Sequence, residues 1–261
     1  MIVPVIAANT FREAVRDKIL YVLLIFGALT ILVSRAIGWV SFGSETKIMT
    51  DIGLGAIWIF SGMVSIFIGT GLIYKEIDKR TIYTIISKPS ERWEFLLGKY
   101  LGLLMTTVVN MALLSTAFLA YLYLCGAPVT TALLQALFLT FVEVTVITAV
   151  AIFFSSASTP ILSAIFTTII FFSGQLTKWI VDLGSTMKYT SPWVEKLLYG
   201  LYLVLPNLHN FNIRREAVLA AQDQLTVAIP ASEMWSCTVY GLSYTVAVLL
   251  AAHLVFRRRN F

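Results

Sequence analysis

The stretch YKEIDKRTIYTIISKPSERWEFLLGKYLG, running from Tyr74 to Gly102, separates two long apolar segments and sets how everything around it is organised. It opens on a charged run, Lys75 to Arg80, continues into a short amphipathic helix expected over Thr81–Ser87, and breaks at Pro89. A new helix then begins with Ser90 as its N-cap and Glu91 in its first turn. A cap hydroxyl satisfies exposed N–H groups at a helix start, and an early carboxylate complements the helix dipole there. A plain loop needs none of this, so the stretch predicts a stiff element able to dock on a soluble partner.

On either side the chain is too apolar for a soluble protein. Of its 261 residues 58% are hydrophobic and 13% charged, against roughly a quarter charged in an ordinary soluble domain. Six apolar stretches can be marked: Ile19–Val40, Ile52–Tyr74, Tyr100–Leu124, Ala132–Phe154, Ile161–Val181 and Trp235–Phe256. Each approaches the ~20 residues that a helix needs to cross a bilayer. The expected fold is an all-α integral membrane protein with six transmembrane helices, residues 1–261 forming one membrane domain with no soluble catalytic domain. Arg12, Arg16 and Lys18 precede a first stretch of nearly full spanning length, which reads as a retained span rather than a cleaved signal.

Charge placement gives the orientation. Three of the 19 Lys/Arg precede the first span (Arg12, Arg16, Lys18), six lie between the second and third (Lys75, Lys79, Arg80, Lys88, Arg92, Lys99), and three close the chain (Arg257 to Arg259). Basic residues near span ends stay in the cytoplasm, so both termini and residues 75–99 are expected there. The seven remaining Lys/Arg face seven Asp/Glu on the other side, and the net charge of +5 reads as a cytoplasmic excess rather than as a nucleic-acid surface.

Two further elements are expected at the membrane surface. In residues 1–18, Val3, Ala7, Phe11 and Ala14 or Val15 recur at helical spacing opposite Arg12, Glu13, Arg16 and Asp17, the pattern of an amphipathic surface helix against membrane lipid. The external region 182–234 contains Leu197–Leu205, apolar but too short to span, bounded by Pro206. That length fits an interfacial or re-entrant helix.

Few residues invite chemistry. Cys125 and Cys237 have no metal-type spacing, and His209 and His253 form no ligand pair, so no catalytic, metal or cofactor site is expected on this chain. Both cysteines fall at the outer face, which permits a disulfide without requiring one. Arg35 sits about a turn inside the outer end of its span and reads as a snorkelling anchor. Glu143 stands in the middle of the fourth span, ~16 Å from either end. A carboxylate at that depth must face the protein interior or a wet cavity, or be neutral. It is either a substrate-path or proton-coupled residue, or a structural carboxyl bonded to Thr145, Thr148 or another helix. Gly55, Gly62 and Gly69 recur every seven residues, and Gly98 and Gly102 every four. Small residues in register permit close helix packing, within one subunit or across a dimer.

The order of these motifs resembles the ABC type-2 transporter permeases. In that family a charged run ending in Gly-Thr leads to an apolar helix, then Pro and Arg, then Leu-Leu-Gly-Lys at the third span. Glu76, Thr81, Pro89, Arg92 and Leu96-Leu97-Gly98-Lys99 follow that order, and Arg80 stands where the family usually has Gly. The Leu205-Pro206-Asn207-Leu208 turn and the basic end Phe256-Arg-Arg-Arg extend the resemblance over nearly the whole chain. It is closest to the branch of permeases for nitrous-oxide-reductase copper-site maturation and for gliding motility.

The resemblance implies a permease half, an exporter of the bacterial or archaeal plasma membrane, that dimerises with a second copy or homologue. A separate ABC ATPase would bind ATP and Mg, and the absence of a Gly-x-x-x-x-Gly-Lys-[Ser/Thr] loop in the sequence agrees. Residues 75–99 would form the coupling helix region, with Glu76, Arg80, Thr81, Glu91 and Arg92 at the ATPase contact. Two other functions fit the same sequence less fully. A membrane anchor could pass ATPase motion to an extracytoplasmic protein gripped by the large external connection. A lipid-modifying enzyme would need clustered carboxylates or histidines at one membrane face, whereas Glu143 and the two histidines lie apart.

Overall fold

The computed structural model describes residues 2–40, 45–78, 92–179, 182, 192–223 and 228–258. Its elements in chain order are α1 (Val3–Val15), α2 (Lys18–Val40), α3 (Glu45–Asp78), α4 (Arg92–Leu124), α5 (Thr131–Ala157), α6 (Pro160–Gln175) and α7 (Pro192–Val204). A 3-10 turn (Leu208–Phe211), α8 (Arg214–Asp223) and α9 (Ala231–Arg258) complete them, with no strand among the described residues.

Helix α5 is apolar all round, and such a helix belongs in the interior. It packs against α3, α4, α6, α8 and α9 and is the axis of the bundle. Its ends show how short connections impose antiparallel neighbours. Gly126 takes a φ of 71° in the turn from α4, a left-handed conformation that a side chain would strain. Thr130 then caps α5, its side-chain oxygen accepting from the Leu133 N–H. At the other end Pro160 opens α6, where its fixed φ suits a first turn and its missing N–H costs nothing.

Small residues decide the close contacts, as expected where lipid supplies no hydrophobic drive between helices. Gly62 of α3 receives the Phe171 ring, and a Cβ there would lie 2.6 Å from it. Gly69 likewise faces Leu103 and Ala151. Gly98 and Gly102 of α4 form the seat for α1: a Cβ at Gly98 would come 2.7 Å from Ile6, and one at Gly102 2.5 Å from the Ala7 carbonyl oxygen. These glycines of α3 and α4 therefore serve packing within the chain. The buried face of α1 is Ala7, Thr10 and Ala14, turned toward α4. Lys99, 1% exposed, pairs with Glu13 at 3.8 Å and fastens the same two helices. Asp17 then accepts from the Ile19 N–H and starts α2.

Among the described residues five helices are long and apolar enough to cross a membrane: Lys18–Gly38, Glu45–Gly71, Trp93–Leu124, Thr131–Ala157 and Ala231–Arg257. The stretch read as a continuous span over Ile161–Val181 differs. Helix α6 has 16 residues, which at ~1.5 Å per residue is short of a ~30 Å hydrocarbon core. Its end has a physical cause. The turn Leu205–Leu208 wedges against Gly174, where a Cβ would sit 2.6 Å from Leu208. Thr177 donates to the Asn207 side-chain oxygen at 2.6 Å, and the Asn207 N–H donates to the Tyr240 hydroxyl at 2.8 Å.

The region following α7 is also more internal than its sequence implies. Leu208, Phe211, Ala217, Ala220 and Ala221 are buried, and α8 lies against α3 and α5. Helix α7 covers the predicted Leu197–Leu205 segment and starts earlier, with Trp193, Leu197 and Tyr199 exposed. The Gln135 side chain pairs with Ile229 through two hydrogen bonds of 3.0 Å each, tying the chain before α9 to the first turns of α5.

Candidate functional site

Glu143 is 1% exposed, and its Oε1 accepts two hydrogen bonds. Trp58 Nε1 donates from α3 at 2.7 Å and Gln175 Nε2 from the last turn of α6 at 2.6 Å. Gln175 Oε1 accepts in turn from Asn212 Nδ2 at 3.1 Å, and Asn212 Oδ1 accepts from Arg214 Nε at 3.0 Å. The Arg214 guanidinium lies over the Trp58 ring, 4.4 Å from its centroid, and so closes a circuit of five side chains. The other face of the aromatic cluster is fixed by Phe171, stacked 4.6 Å from Trp58.

Each member holds its place because of its element. The bend after Gln175 points that amide at α5, and the 3-10 turn delivers Asn212 and Arg214 beside it. Gly55, one turn before Trp58, faces the guanidinium, and a Cβ there would make an ordinary contact of 3.8 Å with Arg214 Nη1. Burial pushes the Arg214 guanidinium below its ordinary range, while Glu143 and Asp51 act in the opposite direction. Such a charge is tolerable in the interior only with opposite charge and hydrogen bonds around it.

Beyond Arg214 the circuit opens into a cleft of about 450 Å³ lined by Lys47, Asp51, Asn212, Arg214 and Arg215, with Val218 and Leu219 beside them. Lys47 and Asp51 belong to the first turns of α3. The start of α4 and the end of α9 meet at the other end of the bundle, where Phe95 stacks on Phe256 at 5.9 Å. Mid-span Glu143 is thus joined by side chains to the end of the bundle opposite the chain termini.

A family model for the ABC-2 family transporter proteins matches residues 5–261. The chain belongs to that family. No curated protein matches it. Family membership makes it the membrane-embedded permease of an ABC transporter and implies an ABC ATPase as its partner.

The permease places the expected coupling residues as follows. Glu76 is in the last turn of α3 and Arg92 is the first residue of α4, their side chains outside the described part; Arg80, Thr81 and Glu91 lie outside the described residues, as do the expected helix Thr81–Ser87 and the Ser90 cap. Glu143 takes the partnership with other helices rather than the neighbours on its own helix. Thr145 donates to the Val142 carbonyl, and Thr148 to Ser65 and to the Val144 carbonyl.

Trp58, Gln175, Asn212 and Arg214 were invisible as site residues in the sequence. Arg214 reads there as one of several balanced external charges. The available signal was the small-residue face Ala217, Ala220 and Ala221 just after it, which marks a helix built for close packing. Cys125 and Cys237 are free thiols, and Cys237 donates to the Asn210 carbonyl at 3.4 Å. Among the described residues no group of three or more His, Cys, Asp or Glu is gathered as a metal site would need. What the circuit can do chemically is bind: it presents a guanidinium, held on one side by Asn212 and Trp58, to a polar cleft.

Proposed function

We propose that this chain is the permease half of an ABC exporter in a bacterial or archaeal plasma membrane. It acts as a dimer with a second copy or homologue, driven by separate ATPase subunits that bind ATP and Mg. The termini and residues 75–99 face the cytoplasm, α6 with the segment after it completes a sixth crossing, and α1 and α7 lie along the two membrane surfaces. The ATPase docks on residues 75–99 through Glu76, Arg80, Thr81, Glu91 and Arg92, and Glu143 with its circuit forms the outer constriction of the substrate path.

The observation that carries this reading is the fastening of α1 to α4. Helix α4 begins within the coupling stretch, at Arg92, and its first turns hold α1 through Gly98, Gly102 and the Lys99–Glu13 pair. A push on residues 75–91 therefore moves α1 and α4 as one body. Because α4 also packs on α3 and α5, that push reaches the helices carrying Trp58 and Glu143. This is a stiff connection of the kind a lever requires, since closely packed helices shift as units rather than deforming.

The test is purification of the native complex with and without a Gly/Ser linker in place of residues 81–94. The reading expects an ATP-hydrolysing subunit to accompany the intact chain and to be lost with the linker. Retention of the ATPase by the linker variant overturns the docking assignment. A complex that hydrolyses ATP yet moves nothing across a sealed bilayer points instead to an anchor that works on an extracytoplasmic protein, with the exposed Trp193, Leu197 and Tyr199 of α7 available for it.

A further inference from the structure

We propose that the cleft above Glu143 is a binding site for a phosphate group, with Arg214 as its principal ligand and Lys47 and Arg215 completing it. Three observations support the assignment. The cleft is lined by three cationic side chains, Lys47, Arg214 and Arg215, against the one carboxylate of Asp51. It has an excess of positive charge at the mouth and none of the paired carboxylates a cation would need.

Arg214 is also presented rather than consumed. Its Nε donates to Asn212 and its face rests on Trp58. Those contacts fix the plane of the guanidinium and leave the terminal N–H groups of the fork, the part that matches a phosphate in a bidentate fashion. The side chain is pre-set by Asn212, which is itself held by Gln175. Ligand binding therefore does not have to order a free arginine, a saving that favours affinity.

The cleft, at about 450 Å³, is also larger than a bare phosphate requires. Its apolar lining at Val218 and Leu219 suits an organic substituent on the bound group. A phosphate carried on a larger molecule fits this division between a cationic mouth and an apolar side. The same chemistry could be presented by a soluble phosphate compound or by a phospholipid headgroup, and the site does not depend on transport or on an ATPase.

Binding is tested directly on the full-length chain, by ligand-dependent thermal stability at constant ionic strength. The probes are inorganic phosphate added to protein in a neutral detergent, and nanodiscs of phosphatidylglycerol compared with phosphatidylcholine. Saturable stabilisation is expected, weakened about tenfold or more in Arg214→Gln, as loss of a charge-assisted pair implies. Lys47→Gln and Arg215→Gln, both at exposed positions that leave the packing intact, should each weaken it in the same direction. Lys196→Gln, an exposed cation on α7 outside the cleft, should leave it unchanged.

Stabilisation by inorganic phosphate identifies a soluble source, and stabilisation by phosphatidylglycerol alone identifies a headgroup, provided the cleft variants remove it. No stabilisation by either probe, or equal stabilisation of the wild type and the Lys47 and Arg215 variants, overturns the proposal. A defect in transport with intact phosphate binding would count against the proposed function and not against this site.

Discussion

Gln175 donates its side-chain N–H to Glu143 Oε1 across 2.6 Å, joining the last turn of α6 to the middle of α5. Helix α6 stops at that point, and after α7 the chain from Leu205 to Ala221 packs inward. The same carboxyl oxygen takes the Trp58 N–H, so one buried acceptor holds three helices in register. Glu143→Leu is expected to leave two donors unpaired, the buried Trp58 N–H and the half-buried Gln175 amide, and to lower stability by about 2–6 kcal/mol, at about 1–3 kcal/mol for each. Thermal unfolding of the purified protein in detergent reads this directly. A loss below about 1 kcal/mol would show that the circuit does not hold the bundle.

Glu143→Gln separates structure from transport. The amide keeps an oxygen acceptor for Trp58 and Gln175, so the fold should remain within about 1 kcal/mol of wild type. On the proposed substrate-path role, removing the carboxyl should nevertheless lower transport-coupled ATP hydrolysis several-fold. Unchanged activity over a range of pH would retire the substrate-path role and leave Glu143 as a purely structural group.

Trp58→Phe retains an aromatic face for Arg214 and removes the indole N–H together with the pyrrole half of the ring. The expected loss is about 2–4 kcal/mol, from one unmet hydrogen bond to a buried carboxyl and the space left by the missing ring atoms. Trp58→Leu removes the face as well, and the cation–π contribution of roughly 1–2 kcal/mol should be lost in addition. Equal stability of the two variants would show that the guanidinium gains nothing from the ring.

The seat of α1 on α4 is tested by filling its glycine. In Gly102→Ala the new Cβ would meet the Ala7 carbonyl oxygen at 2.5 Å, a backbone atom that yields only if α1 moves. Overpacking of this kind costs about 1–3 kcal/mol. A cysteine introduced at Ala7, buried in the wild type, should react with a maleimide faster in the Gly102→Ala background. Identical labelling rates would place α1 away from α4.

The membrane class, the helical seat of residues 3–15 and the positions of the long spans were legible because each rests on local rules: span length, a 3.6-residue period, and charge at helix ends. The register of Gly98 and Gly102 predicted close packing but could not name α1 as the neighbour. Ile161–Val181 reads as one uninterrupted helix because its hydropathy is continuous, while α6 is ended at Gln175 by a distant segment, Leu205–Leu208, fitting against Gly174. The Glu143 circuit was half legible for the same reason. A lone mid-span carboxyl announces that it needs partners, but Asn212 and Arg214 are about seventy residues away in sequence, and only the inward path of the chain after α6 brings them near.

The most direct measurement of the central claim is ATP hydrolysis by the purified complex of this permease with its ATPase, comparing wild type with Glu91→Ala and Arg92→Ala together. The account predicts that the permease contributes the docking stretch, so the doubly substituted complex should lose its permease-dependent hydrolysis while the permease itself remains folded. Full permease-dependent hydrolysis by that variant would contradict it.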